Sequence, residues 1–479
     1  MTILDALAAR ARSMRPADLP ADVLALGRLQ LVAALGAARA SGAHPGPTLA
    51  ARLSAAAARH AWDDPVLAGR VGLVAPHVVW ALGRDRTLDE LATALVVANE
   101  VGGRIGLAIL FGPRAGHADT HAATAAGAAA AAWLRGDDAT TFARAVAGAI
   151  ISGRHVPLRD ADGPALAIEA SLAAERASGG PTDLLDPGGS WWAPRTRRPL
   201  HGAFAGLGEV WLTRTLLVRA FPGLVWGATA LESVDEILRR HVKAADKRLR
   251  ADQVERVELR VNAHTWAMHR AAGADLASAL PRSIAVLVAR HSLSPADLAP
   301  AALAERATEI DALAARVTVE HDWGLTLAAH ERLARALGPL FGGWSSARDA
   351  RRGLELDGGL PPFSIDDLPR IVRARPDRVA AALRVRPGDL TACDLDAFRW
   401  ALPVEVRVHT TRGGSWPERR SLPLGTGAEA EARLIAPSGR EALALARFDD
   451  ATRPAARAAL DAPGASIAAD VLGPLAEPS

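Results

Sequence analysis

"GPRAGHADTHAATAAGAAAAAWLRGDD" spans Gly112–Asp138 and sets His117, Asp119 and His121 directly ahead of a run of alanines. Alanine is the strongest helix former and the smallest side chain with a Cβ. Ala128–Ala132 therefore predicts a helix seated very close against a neighbour. The polar cluster at its mouth is either a cap or part of a site. A His-x-Asp-x-His metal site is disfavoured by helical spacing, because only His117 and His121 would share a face.

The segments on either side carry the same texture. "ADVLALGRLQLVAALGAARA" (Ala21–Ala40) and "TLDELATALVVANEVGGRIGLAIL" (Thr87–Leu110) repeat apolar residues at helical spacing. Thr87 with Glu90 forms a capping box for the second. "DDATTFARAVAGAIISG" (Asp137–Gly153) predicts a further helix that ends at glycine. Small residues dominate the apolar faces, which suits tightly packed antiparallel helices.

The pattern changes at "DQVERVELRVNAHT" (Asp252–Thr265), where Val254, Val257, Leu259 and Val261 give a period near two over most of the stretch and predict a strand. A helix over Ser283–His291 follows. "LSPADLAPAALAERATEIDALAARVTVEHD" then reads as helix followed by strand, and Pro403–Gly425 as a strand pair turning at Arg412–Ser415. Residues 325–400 are rich in Pro, Gly and Arg, with helical pieces but weak periodicity, and the last ~40 residues return to helical texture. The expected fold class is α+β, predominantly α-helical: a large helical domain interrupted by a smaller α+β lid domain. The expected division is 1–251 helical, 252–425 α+β with an insertion near 325–400, and 426–479 returning to the helical domain.

The chain has 479 residues, long for a single core, with 49% hydrophobic and 23% charged content. Net charge is only +3, and Lys243 and Lys247 are its lysines; the arginines are scattered among Asp and Glu, so no nucleic-acid partner is expected. A single cysteine, Cys393, excludes an internal disulfide and any cysteine-held zinc or iron–sulfur centre within one chain. The opening "MTILDALAARARSMRPADLP" has no signal-peptide core, and no stretch is expected to reach membrane-spanning length. A cytoplasmic location is the default.

Read in order, several segments resemble the MmgE/PrpD family of 2-methylcitrate dehydratases, cis-aconitate decarboxylases and iminodisuccinate epimerases. "HAWDDP" (His60–Pro65) is similar to the family's His-Ala-Leu-Asp-Phe-Asp-Asp stretch, and "ANEVGGRIG" (Ala98–Gly106) to its Glu-Val-x-x-Arg-Ile/Leu-Gly helix end. "HAATAAGAAAAAWLRGDD" resembles its alanine-rich motif and "LVRAFPG" (Leu217–Gly223) its Lys-x-Tyr-Pro-x-Cys segment. "QVERVELRV", "SIAVLVARHSLSPADL" and "IDALAARVTVEHD" resemble elements of its second domain. The resemblance implies a homodimer that works without metal or cofactor on a small carboxylate-bearing substrate, with the site between the two domains.

It also implies residue roles. His121 stands six residues before Gly127, as the family's histidine does before its glycine, and would be the acid/base. Asp63 and Asp64 would support it or carry a proton, and His60 precedes them as a further catalytic candidate. Arg219 stands at the Lys-x-Tyr-Pro lysine and would clamp a carboxylate. "RPLHGAFAG" (Arg198–Gly206) is similar to a Lys-x-Leu-His-x-Gly motif, which makes Arg198 and His201 substrate-binding candidates along with Thr124. That assignment competes with another, because "ALAIEASLAAERASGGPTDLLD" before it resembles the helix that normally follows the motif. Two departures matter. The family's catalytic His-Pro is replaced by Gly69-Arg70, unless His77 or His60 substitutes, and neither family lysine is present. The expected activity is a lyase or isomerase acting beside a carboxylate or carbonyl, on a substrate other than 2-methylcitrate. The alternative is a catalytically degenerate member serving as a binding or partner subunit.

Overall fold

A computed structural model describes residues 1–40, 62–67, 69–110, 117–153, 180–196, 198–271, 279–341, 364–426 and 439–476. Helices dominate, and the strands form one four-stranded sheet in the order β2-β1-β3-β4. The fold is therefore predominantly helical α+β.

The bundle is built around the helix Leu88–Ala108, whose residues are almost all buried. Thr87 caps it as a capping box: its hydroxyl accepts the Glu90 N–H, and the Glu90 carboxylate accepts the Thr87 N–H at 2.9 Å. The alanine-rich helix His117–Arg135 lies directly against it. A Cβ at Gly102 would stand 2.5 Å from the Ala122 carbonyl oxygen and 2.6 Å from the Ala126 Cβ. Larger side chains at this crossing would push the backbones apart. Small residues on both helices are thus the reason for the tract's composition.

Ala21–Ala40 and Leu88–Ala108 are both long and apolar enough to cross a membrane, with mean hydropathies of 1.4 and 1.2, contrary to the reading that no stretch reaches that length. Both serve as core helices here, and the apolar window of Leu88–Ala108 is entirely buried.

The sheet follows the predicted strands. β1 (Val254–Val261) runs parallel to β2 (Val317–His321) and antiparallel to β3 (Val404–Thr410), which turns into β4 (Ser415–Arg420). The break in alternation after Val254 has a local cause: the β1–β3 register shifts between Val254 and Arg256, a bulge that lets Val254 and Val257 face the same core. β4 is an edge strand, and it tolerates Pro417 there.

Cluster membership crosses several of these segments. The helix Ala228–Ala245 joins the sheet's apolar cluster through Leu231, Val234 and Ile237, well before residue 252. Within the weakly periodic 325–400 segment, a helix of 19 residues spans Trp323–Phe341, and its Leu337, Leu340 and Phe341 enter the bundle's core beside Phe398 and Trp400. Near the C-terminus, Leu443, Phe448, Ala459 and Leu472 pack on the bundle's other cluster.

One buried acid on this framework makes stability depend on pH. Glu232 accepts the Leu424 N–H at 3.0 Å with Arg420 3.9 Å away, and burial pushes its pKa up to about 8 from an ordinary 4.5. Between those values the folded protein holds a proton that the unfolded chain has lost. Stability from this group is full at low pH and is lost as pH rises toward about 8, by up to about 1.4 kcal/mol per pH unit. Urea unfolding at several pH values should show that fall in the native chain and a shallower one in Glu232→Gln.

Candidate active site

His121 lies in the first turns of the alanine-rich helix and is 1% exposed. Its Nδ1 is 3.0 Å from the Ile150 carbonyl, and the Arg195 Nε–H donates to its Nε2 at 3.1 Å. An arginine Nε can only donate, so Nε2 is the accepting nitrogen and Nδ1 carries the proton. The imidazole is a neutral Nδ1–H tautomer with its lone pair turned to a guanidinium. Thr124 Oγ1 donates back to the His121 carbonyl at 3.3 Å, within the helix.

Arg195 is half-buried and was not singled out in the sequence. It sits over the Trp191 ring, 5.0 Å from its centroid, and donates from Nη1 to the Trp191 carbonyl at 2.8 Å. An edge-to-face series then runs from His121 to Trp191 (5.6 Å), to Trp192 (4.8 Å) and to His201 (4.8 Å). Two sequence candidates 80 positions apart are thereby joined by aromatic contacts. The signal that could have found Arg195 is its place in "WWAPRTRRPL", four residues after the tryptophan it covers. His201 is half-buried, and burial lowers its pKa from 6.5. Arg198 donates toward the Phe341 carbonyl at 3.5 Å.

The loop that carries His201 is held by the pair within "ANEVGGRIG". Glu100 and Arg104 are one helical turn apart and completely buried, 3.3 Å from one another. Glu100 accepts the backbone N–H groups of Leu212 (3.1 Å) and Thr213 (2.9 Å). Arg104 donates to the carbonyls of Ala203, Ala205 and Val210 at 3.0, 2.6 and 2.8 Å. Burial raises the Glu100 pKa while Arg104 opposes the rise. The motif's work here is to fix residues 203–213.

Asp63, Asp64 and Arg219 form a separate knot of buried ion pairs. Asp63 takes both ends of Arg70, at 2.7 and 3.1 Å, and Arg219 Nη2 at 3.0 Å. Asp64 receives Arg447 at 2.6 and 2.8 Å and the Arg219 N–H at 3.1 Å. Arg219 also donates to the carbonyls of Asp63 and Gly223, both at 2.7 Å, and Trp62 lies beneath Arg447 at 4.9 Å. Burial favours the neutral form of Asp63, but Arg70 and Arg219 prevail and hold its pKa below the ordinary value. Arg219 is 1% exposed, and burial brings its pKa down to about 10. These carboxylates therefore neutralise buried guanidiniums and make no hydrogen bond to His121. A clamp for substrate needs donors turned outward, and those of Arg219 described above close on Asp63 and Gly223. Arg70, from the Gly69-Arg70 that stands in place of His-Pro, belongs to the same knot. Burial alone lowers His77 to about 4, so it is neutral at neutral pH.

His60 and the side chains of His117 and Asp119 lie outside the described residues. Among the described residues, no group of three or more His, Cys, Asp or Glu side chains could hold a metal ion.

No family model matches the chain, and no curated protein matches it.

Proposed function

We propose that the protein is a cofactor-independent lyase or isomerase of MmgE/PrpD type, working as a homodimer on a small carboxylate-bearing substrate, with His121 as the proton carrier. The observation that carries the reading is the 3.1 Å contact between the His121 imidazole and the Arg195 guanidinium. A substrate carboxylate pairs with a guanidinium more strongly than a neutral imidazole does. On binding, it draws Arg195 away from Nε2 and leaves that lone pair beside the substrate.

Nε2 then takes the proton from the carbon next to the carboxylate or carbonyl. The electron pair of that C–H bond moves into an enolate, and Arg195 lies against the developing negative charge. The Ile150 carbonyl continues to accept from Nδ1–H and steadies the imidazolium. In a lyase the enolate expels its leaving group, and His121 returns the proton to it. In an isomerase the enolate turns over within the site, and His121 returns the proton to its other face.

Arg195→Gln tests the assignment of the carboxylate partner. Against a panel of citrate, 2-methylcitrate, cis-aconitate and iminodisuccinate, the variant should lose about 10²-fold in kcat/KM, with a large part in KM. An unchanged KM for a turned-over substrate would remove Arg195 from the reading.

The second reading is a partner or binding subunit without catalysis. What favours it is the knot, in which groups that the family resemblance casts as proton carriers and clamp neutralise one another.

A further inference from the structure

The helical turns Ile365–Asp367 and Leu368–Arg373 run on without a break and lie against the helix Trp323–Phe341. A helical turn of about 3.6 residues places Asp367, Arg370 and Ile371 on one side. That side faces inward: Arg370 meets Asp322 at 3.4 Å and Asp367 at 3.7 Å, and all three side chains are half-buried. The opposite side carries Ile365, Leu368 and Val372, which are 77%, 45% and 71% exposed. Apart from Met1, Ile365 and Val372 are the most exposed large apolar side chains among the described residues. A single exposed aliphatic is ordinary, but an apolar stripe at i, i+3 and i+7 turned to water marks a contact surface.

Two charges border the stripe along one edge. Asp366 and Arg373 are two helical turns apart in sequence, so they stand on the same edge near opposite ends. Both are exposed, and among the described residues neither side chain makes an ion pair or a hydrogen bond. The neighbouring charges are spent locally, Arg375 on Asp377 at 3.3 Å and Arg378 on Glu331 at 3.8 Å. A two-fold axis through the middle of the stripe, lying in the plane of contact and perpendicular to the helix, sets two copies antiparallel with like edges together. Asp366 of each copy then meets the partner's Arg373, and the two apolar stripes close over one another.

We infer that the helical face 365–373 is a two-fold docking surface for a second copy of this chain. The inference rests on the homodimer proposed above and gives that homodimer its surface. One unpaired acid and one unpaired base at opposite ends make the face complementary to its own two-fold image. An anionic bilayer would attract Arg373 and repel Asp366, with no net gain in charge. A stripe of three apolar side chains is smaller than the core of a tight interface, so the dimer is weak and concentration-dependent.

Sedimentation velocity from about 1 to 200 µM tests the inference, because that range brackets the Kd of a weak dimer. The native chain should pass from monomer to dimer as concentration rises. Val372→Asp sets a charge inside the stripe and should weaken the dimer about tenfold or more. Asp366→Arg and Arg373→Glu each bring like charges together twice and should weaken it about tenfold. The double variant Asp366→Arg/Arg373→Glu re-forms both pairs with their signs exchanged and should recover the native constant. An equimolar mixture of the two single variants should likewise form dimer. All of these side chains are exposed, and circular dichroism should show native folding in every variant. A dimer of native strength in Val372→Asp and in both single reversals overturns the inference and leaves the homodimer to another surface. A double variant as weak as the single ones overturns the two-fold pairing. A native chain that is monomeric throughout overturns the inference and the homodimer together. If that monomer sediments with phosphatidylglycerol vesicles and Val372→Asp does not, the stripe belongs to a lipid surface.

Discussion

Asp64→Ala should lose about 3–5 kcal/mol of stability, because it leaves buried Arg447 without its carboxylate. The charge of Arg447 cannot be met by water, since the residue is only 5% exposed. The substitution also leaves the Arg219 N–H without its acceptor and loosens the contact of Arg447 with Trp62. Arg214→Ala provides the contrast. It removes an exposed pair of ionic contacts to Asp22 and Asp396 and should cost no more than about 1 kcal/mol. Thermal or urea unfolding of the two variants beside the native chain measures the difference. A stable Asp64→Ala protein that had lost only an activity would return Asp64 to a catalytic role.

His121→Ala should reduce turnover by about 10²–10⁴-fold, the range for loss of a positioned acid/base group. The effect should fall mainly on kcat, because Arg195 remains to bind the carboxylate. The Nδ1 contact to Ile150 is lost as well, so folding must be checked on the same sample. His121→Gln retains some polar character at the site, and it should be equally inactive since an amide cannot carry the proton. If His121→Gln turned over substrate like the native chain, proton transfer would have to come from another group.

The parts of the fold written in short-range periodicity were legible in the sequence. The capping box of Thr87 and Glu90, the alanine tract, and the strands at Val254–Val261 and Val404–Arg420 each depend on neighbours a few residues away. The helix Trp323–Phe341 falls where the sequence shows helical pieces but weak periodicity, and its bounds were not legible there, because Gly324, Gly338 and Pro339 interrupt the apolar spacing. Side-chain partnership was legible least. Arg447 lies 383 positions from Asp64, Arg219 lies 155 away, and Arg195 lies 74 from His121. "WDDP" signals a pair of carboxylates, but whether they meet a substrate or a guanidinium depends on chain segments that arrive only when the protein folds. Arg70 and Arg219 themselves carried the clue, because an arginine beside a buried carboxylate favours an ion pair over proton transfer.

The most direct test of the proton-transfer claim is proton NMR in D2O with citrate, 2-methylcitrate, cis-aconitate and iminodisuccinate, using native protein and His121→Ala. The account predicts deuterium exchange, elimination, decarboxylation or epimerisation on at least one of these carboxylates with the native chain, and its loss in His121→Ala. Silence on all four from well-folded native protein, or equal exchange by the variant, would contradict it, and the reading as a binding or partner subunit would take its place.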